Sequence, residues 1–176
     1  QARVHVLSLV PFALYLAAAL LLVREVRAGA RGRFAPSFWV ATAAIAAHSW
    51  VLFDAIRTER GFSLAITDSA SLVGWVVAAS TLVGMTTTPL AALPAALFAV
   101  AGLLAVGTGV LTGFREVHAP QWEVTAHITM AALAAGWLSI AAVAVLLLTW
   151  QNNRLRARQP LGSMALLPPV ETLERT

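Results

Sequence analysis

Five stretches of this chain are apolar for about the length that crosses a bilayer, and this constrains its fold more than any other feature. They cover residues 4–23, 36–56, 68–85, 90–112 and 124–150. A hydrocarbon core of roughly 30 Å takes about 20 residues of helix. Inside it, backbone N–H and C=O groups find no water, so a spanning segment must close its hydrogen bonds within a helix or a barrel. Long continuous apolar runs favour the helix over the alternating strand. The sequence therefore predicts an all-α fold: a polytopic membrane helical bundle of about five transmembrane helices. Residues 1–153 form the helical domain, and residues 154–176 a cytoplasmic tail.

Composition supports this reading. The chain is 59% apolar and 11% charged, whereas soluble domains average about 45–50% and about 25%. The absence of cysteine excludes disulfides, thiolate metal sites and haem attachment through Cys-x-x-Cys-His. The net charge of +4 comes from arginine alone, since lysine is absent. These arginines flank apolar spans, so they report orientation in a bilayer rather than a nucleic-acid partner. Arg24, Arg27, Arg31 and Arg33 crowd the first connection, and Arg154, Arg156 and Arg158 follow the last span. Asp54, Glu59, Glu116 and Glu123 balance the other two long connections. The N-terminus is expected outside and the C-terminus inside, which an odd number of spans satisfies.

Local signals mark the ends of the spans. Pro11 is expected to kink the first span, and Pro36 suits the first turn of the second. Asp68 fits a helix N-cap, and "TTTP" a tight turn before Pro89. Gly102, Gly107, Gly109 and Gly113 let the fourth span pack closely, more within the domain than between copies. After Pro168 and Pro169, a short interfacial helix is expected near Val170. The chain stops as that helix begins, which suggests that the natural chain continues.

Four histidines carry the candidate chemistry. His48 lies about eight residues, roughly 12 Å, inside the outer end of its span. An ionisable group at such depth is expensive to bury and marks a functional site by default. One hydrogen bond to a serine or a carbonyl would equally make it structural. His127 begins the last span, as a headgroup-level ring or as a ligand. It is expected to face the bundle or a partner, with Glu123 one turn earlier placed to orient it. His5 and His118 are weaker candidates. No HxxxH or HExxH pair is present, so a metal held by side chains alone is not expected. Haem iron takes single histidines from separate helices, but His48 and His127 differ by about 7–9 Å in depth. That disfavours the two as a simple pair across one haem. Trp39, Trp122 and Trp150 fit boundary anchors, and Trp50, Trp75 and Trp137 fit bundle packing better than a cavity lining. No nucleophile and base stand near each other along the spans, so no enzyme is expected.

Four segments, in order, resemble the cytochrome c assembly family (CcsA-related), in its YpjD-like and HemX-like inner-membrane branch. They are "AAHSW", "FSLAITDSASLVGW", "AHITMAALAAGWLSIAAVAVLLLTWQNNRL" and "LPPVETLER". The resemblance covers nearly the whole chain. It implies that His127 matches a histidine that coordinates haem at the outer face in haem-handling members, and that His48 matches a branch histidine of unassigned role. Trp137 stands where the family usually has tyrosine. The chain lacks the family's external tryptophan-rich loop with its flanking histidines, and it also lacks the family's further C-terminal spans. A second axial ligand would then come from those spans or from another subunit. The resemblance implies a non-enzymatic integral protein of the cell inner membrane that assists haem delivery or the biogenesis of a membrane cofactor protein. The alternative is an accessory subunit that packs in the lipid bilayer against another membrane protein and binds no haem.

Overall fold

The computed structural model describes residues 2–29, 35–58, 61–64, 66–87, 92–110, 117–118 and 122–156. Five helices account for nearly all of them: α1 (Ala2–Arg27), α2 (Pro36–Ile56), α3 (Ile66–Thr87), α4 (Ala92–Val110) and α5 (Trp122–Arg156). Four are long and apolar enough to cross a membrane, over Leu9–Arg27, Pro36–Ala55, Asp68–Thr87 and Ala126–Arg154. The described side chains of α4 give a shorter apolar run, Ala92–Val106.

The connections carry an element the apolar pattern does not show. Short strands β1 (Arg57–Thr58), β2 (Gly61–Leu64) and β3 (Val117–His118) form a small antiparallel sheet in the order β1-β2-β3. Ser63 pairs with His118 and Leu64 with Val117. This pairing ties the α2–α3 connection to the α4–α5 connection, so both lie at one end of the molecule. Helix α4 therefore returns the chain to the end from which α3 set out. Its 19 residues span about 28 Å, close to a full crossing.

Helices α1 to α4 close a ring, each packed against the next and α4 packed back on α1. The core is Tyr15, Ala18, Ala19, Ala41, Ala44, Val77, Ala78, Leu93, Leu97, Phe98 and Ala101. Alanine dominates because lipid is as apolar as leucine. Association then rests on close packing, which small side chains permit. Gly102 serves the same end: a Cβ there would sit 3.3 Å from Tyr15 Cβ. At Gly74 the space is tighter, with Leu104 Cβ 2.8 Å from where a Cβ would be. The expectation of packing within the domain holds for Gly102, while Gly113 lies outside the described residues.

Helix α5 stands outside the ring, against α3 and to a lesser extent α4. Only 11% of its span is buried, against 33% for α1 and α3 and 28% for α2. Its contact turns on Gly136, where a Cβ would meet Val76 Cγ1 at 2.6 Å.

The ends of the helices follow local chemistry. Helix α1 runs through the buried Pro11 and ends where Gly29 adopts a φ of 69°, the left-handed form of a C-terminal glycine. Ala28 N–H donates to the Arg24 carbonyl at 2.9 Å and Gly29 N–H to the Val26 carbonyl at 3.1 Å. Helix α2 starts at Pro36 and ends at Ile56, as the sequence predicts. Helix α3 starts two residues earlier than expected, so Asp68 lies in its first turn rather than at the N-cap. A carboxylate there still favours the positive end of the helix dipole. Helix α5 extends to Arg156, taking in residues expected to belong to the tail. Pro89, Val170 and the expected helix of the tail lie outside the described residues.

Candidate functional site

His48 is fully buried where α1, α2 and α3 meet. Its Nε2 lies 2.8 Å from Ser71 Oγ of α3, and its Nδ1 3.2 Å from the Tyr15 hydroxyl of α1. Tyr15 and Ser71 are fully buried as well. The Tyr15 ring meets the His48 ring edge-on at 5.7 Å and stacks on Phe98 of α4 at 6.0 Å. His48 thereby joins α1, α2 and α3 directly, and Tyr15 carries the cluster on to α4 through Phe98.

The proton positions follow from what each group must satisfy. Tyr15 has one O–H to donate, and His48 Nδ1 is its hydrogen-bond partner among the described residues. A neutral ring accepts at one nitrogen only. The phenol is the more acidic of the two hydroxyls facing it, and a helical serine can give its O–H to a carbonyl of the preceding turn instead, so Tyr15 donates to Nδ1. The ring is then the Nε2–H tautomer, which donates to Ser71 Oγ. Neither ring nitrogen is left without a partner.

A second rung runs beside the first. Trp75 Nε1 donates to Ser49 Oγ at 2.8 Å, and Ser49 Oγ donates to the Ile45 carbonyl at 2.8 Å. Neighbouring residues on α2, His48 and Ser49, thus meet Ser71 and Trp75, four apart on α3 and so on one face. The short motifs "AAHSW" and "SLVGW" are the two sides of this seam. Trp75 is half-buried, in keeping with its expected packing role.

Ser71 and His48 also stand at the distance of a nucleophile and its base. No nucleophile and base stand near each other along the chain, yet the fold brings this serine and histidine together. Their 23-residue separation hides the pair from any reading of local spacing. In the Nε2–H form the ring donates to the serine. A base needs a lone pair on the nitrogen facing the serine, and Tyr15 leaves a proton there.

His127 is placed differently. It is exposed, as is Glu123 one turn before it. No hydrogen bond joins the two among the described residues. Of the two surfaces expected for it, the bundle and a partner, His127 does not face the bundle, and helix geometry gives the reason. Gly136, which seats α5 on α3, lies nine residues on, about two and a half turns at 3.6 residues per turn. The two residues therefore point to opposite sides of α5. Trp137 and Trp50 are likewise 62% and 68% exposed, so neither packs in the bundle. Trp39 and Trp150 are exposed too, and Arg154 lies 4.8 Å over the Trp150 ring, as suits boundary anchors. The side chains of His5, His118 and Trp122 lie outside the described set.

No group of three or more His, Cys, Asp or Glu side chains fit to hold a metal ion occurs among the described residues. A haem does not fit at His48, because iron would need a nitrogen that Tyr15 or Ser71 now holds. His127, outside the bundle, has no such obstacle. Searches of protein-family models, curated proteins and solved structures each find no match to this chain.

Proposed function

We propose that the protein is a non-enzymatic integral membrane module of the cytochrome c assembly type, placed in the inner membrane and assisting haem delivery or the biogenesis of a membrane cofactor protein. In this reading the ring of α1 to α4 is a fixed scaffold, and α5 presents His127 at the outer face. The observation that carries it is the contrast between the two candidate histidines. His48 has both ring nitrogens bonded inside the bundle, whereas His127 is exposed on the least covered helix. The ordered resemblance to the assembly family adds the class of cofactor. Because the described residues offer His127 no second ligand, the completing group would come from another segment or subunit.

The uncovered α5 also favours a second reading, an accessory subunit that packs against a larger membrane complex and binds no haem. One experiment separates the two. Purified protein, alone and with any co-purifying partner, is titrated with haem and its visible spectrum recorded. A low-spin haem band that His127→Ala abolishes and His48→Asn leaves in place supports the first reading. No band with the partner present supports the second. A band abolished only by His48→Asn overturns the first reading.

A further inference from the structure

The last turn of α1 carries a pair of arginines, Arg24 and Arg27. Arg24 and Arg27 are exposed and three apart on the helix, which sets their Cβ atoms about 5–6 Å from each other on one face. The carboxylate between them does not neutralise them, because Glu25 is turned to α2. Its Oε1 accepts the Ser37 N–H at 2.9 Å and its Oε2 accepts the Ser37 hydroxyl. Arg27 is also the last residue of the apolar span Leu9–Arg27, so the pair stands at headgroup level. Trp39, in the first turn of α2, is 59% exposed at the same end, where an amphipathic ring anchors to the bilayer interface.

We propose that Arg24 and Arg27 together hold the phosphate of an anionic phospholipid. The two guanidinium forks match phosphate oxygens geometrically as well as in charge. The α1 C-terminus contributes about half a negative charge, which two full positive charges outweigh. A zwitterionic lipid offers the same phosphate but adds an ammonium group that the arginine pair repels. The site therefore selects anionic headgroups over choline ones. A free phosphate lacks the acyl chains that place a headgroup at this level, so the occupant is the lipid.

The test is native mass spectrometry of the purified full chain, released from detergent micelles containing equal phosphatidylglycerol and phosphatidylcholine. The expected result is preferential retention of phosphatidylglycerol. R24Q and R27Q each weaken it about fivefold, and R24Q/R27Q about twenty-five-fold. R24K/R27K, which keeps the charge and loses the fork, retains an intermediate preference. R154Q/R156Q removes the same charge elsewhere and leaves the preference unchanged. Equal retention of the two lipids overturns the proposal, as does equal loss in R154Q/R156Q. Displacement of phosphatidylglycerol by millimolar inorganic phosphate overturns the lipid as occupant. Unchanged thermal unfolding of each variant in phosphatidylcholine micelles confirms that the fold is intact.

Discussion

The hydroxyl of Tyr15 and Nδ1 of His48 meet at 3.2 Å across 33 residues of chain, and this contact sets the protonation of the whole buried node. Tyr15→Phe removes the donor and strands a buried acceptor, at a cost of about 1–3 kcal/mol. Removing every polar partner at once costs less than the sum of the separate losses, because no group is then left unpaired. Tyr15→Phe combined with His48→Phe and Ser71→Ala is therefore expected to be more stable than the single changes add up to. Denaturant unfolding in a fixed detergent measures both, and strict additivity would show that the three side chains do not act as a unit.

The seat of α5 rests on one missing side chain. Gly136→Ala places a methyl 2.6 Å from Val76 Cγ1, and overpacking of that kind costs about 1–3 kcal/mol. The α3–α5 contact should loosen while the four-helix ring stays closed. Val76→Ala in the same chain removes the 2.6 Å contact, leaving only Val76 Cβ at 3.1 Å, and should restore most of the seat. A disulfide-trapping or spin-label distance between α3 and α5 reports the change. An unaltered distance and stability in Gly136→Ala would mean that α5 sits elsewhere.

Glu25 holds the start of α2 from a neighbouring helix. Ala35, before Pro36, has no side-chain acceptor, so Glu25 takes the Ser37 N–H that a capping side chain would otherwise satisfy. Glu25→Ala should cost about 1 kcal/mol, the scale of a lost helix cap. Hydrogen exchange should quicken at Ser37 ahead of the middle of α2. Equal exchange in the two proteins would remove Glu25 from this role.

The sheet pairing and the arginine bias together predict sidedness. A cysteine at Asp54, beside the α2–α3 connection, should label with an impermeant reagent from outside. A cysteine at Arg156 should label only after the membrane is opened. The reverse pattern would invert the orientation, and labelling of both from one side would deny the odd number of crossings.

Much of the architecture was legible because apolar length is a one-dimensional property. The α2 bounds follow from Pro36 and the run behind it, and the depth of His48 within that run pointed to burial. The rest depends on which face of each helix turns inward. In a bilayer, lipid and core are both apolar, so polarity does not separate them. That is why Trp50 and Trp137, expected to pack in the bundle, are exposed, and why polarity did not show which side of α5 carries His127. Gly136, nine residues from His127, held the signal, as a small residue where α5 needs close approach. Tyr15 and Ser71 escaped for another reason. They meet His48 from different helices, 33 and 23 residues away, at no spacing that a motif would reveal. The small sheet lies in polar connections whose pairing is long-range.

The central claim is that His48 is a closed structural node and that, of the two described histidine side chains, His127 is the one open to outside chemistry. Nitrogen NMR of the protein labelled at histidine, with and without added haem, tests it most directly. The account predicts a neutral His48 protonated on Nε2 and unchanged by haem, with any haem-dependent change confined to His127. A His48 ring protonated on Nδ1, or a His48 signal that shifts when haem is added, would contradict it.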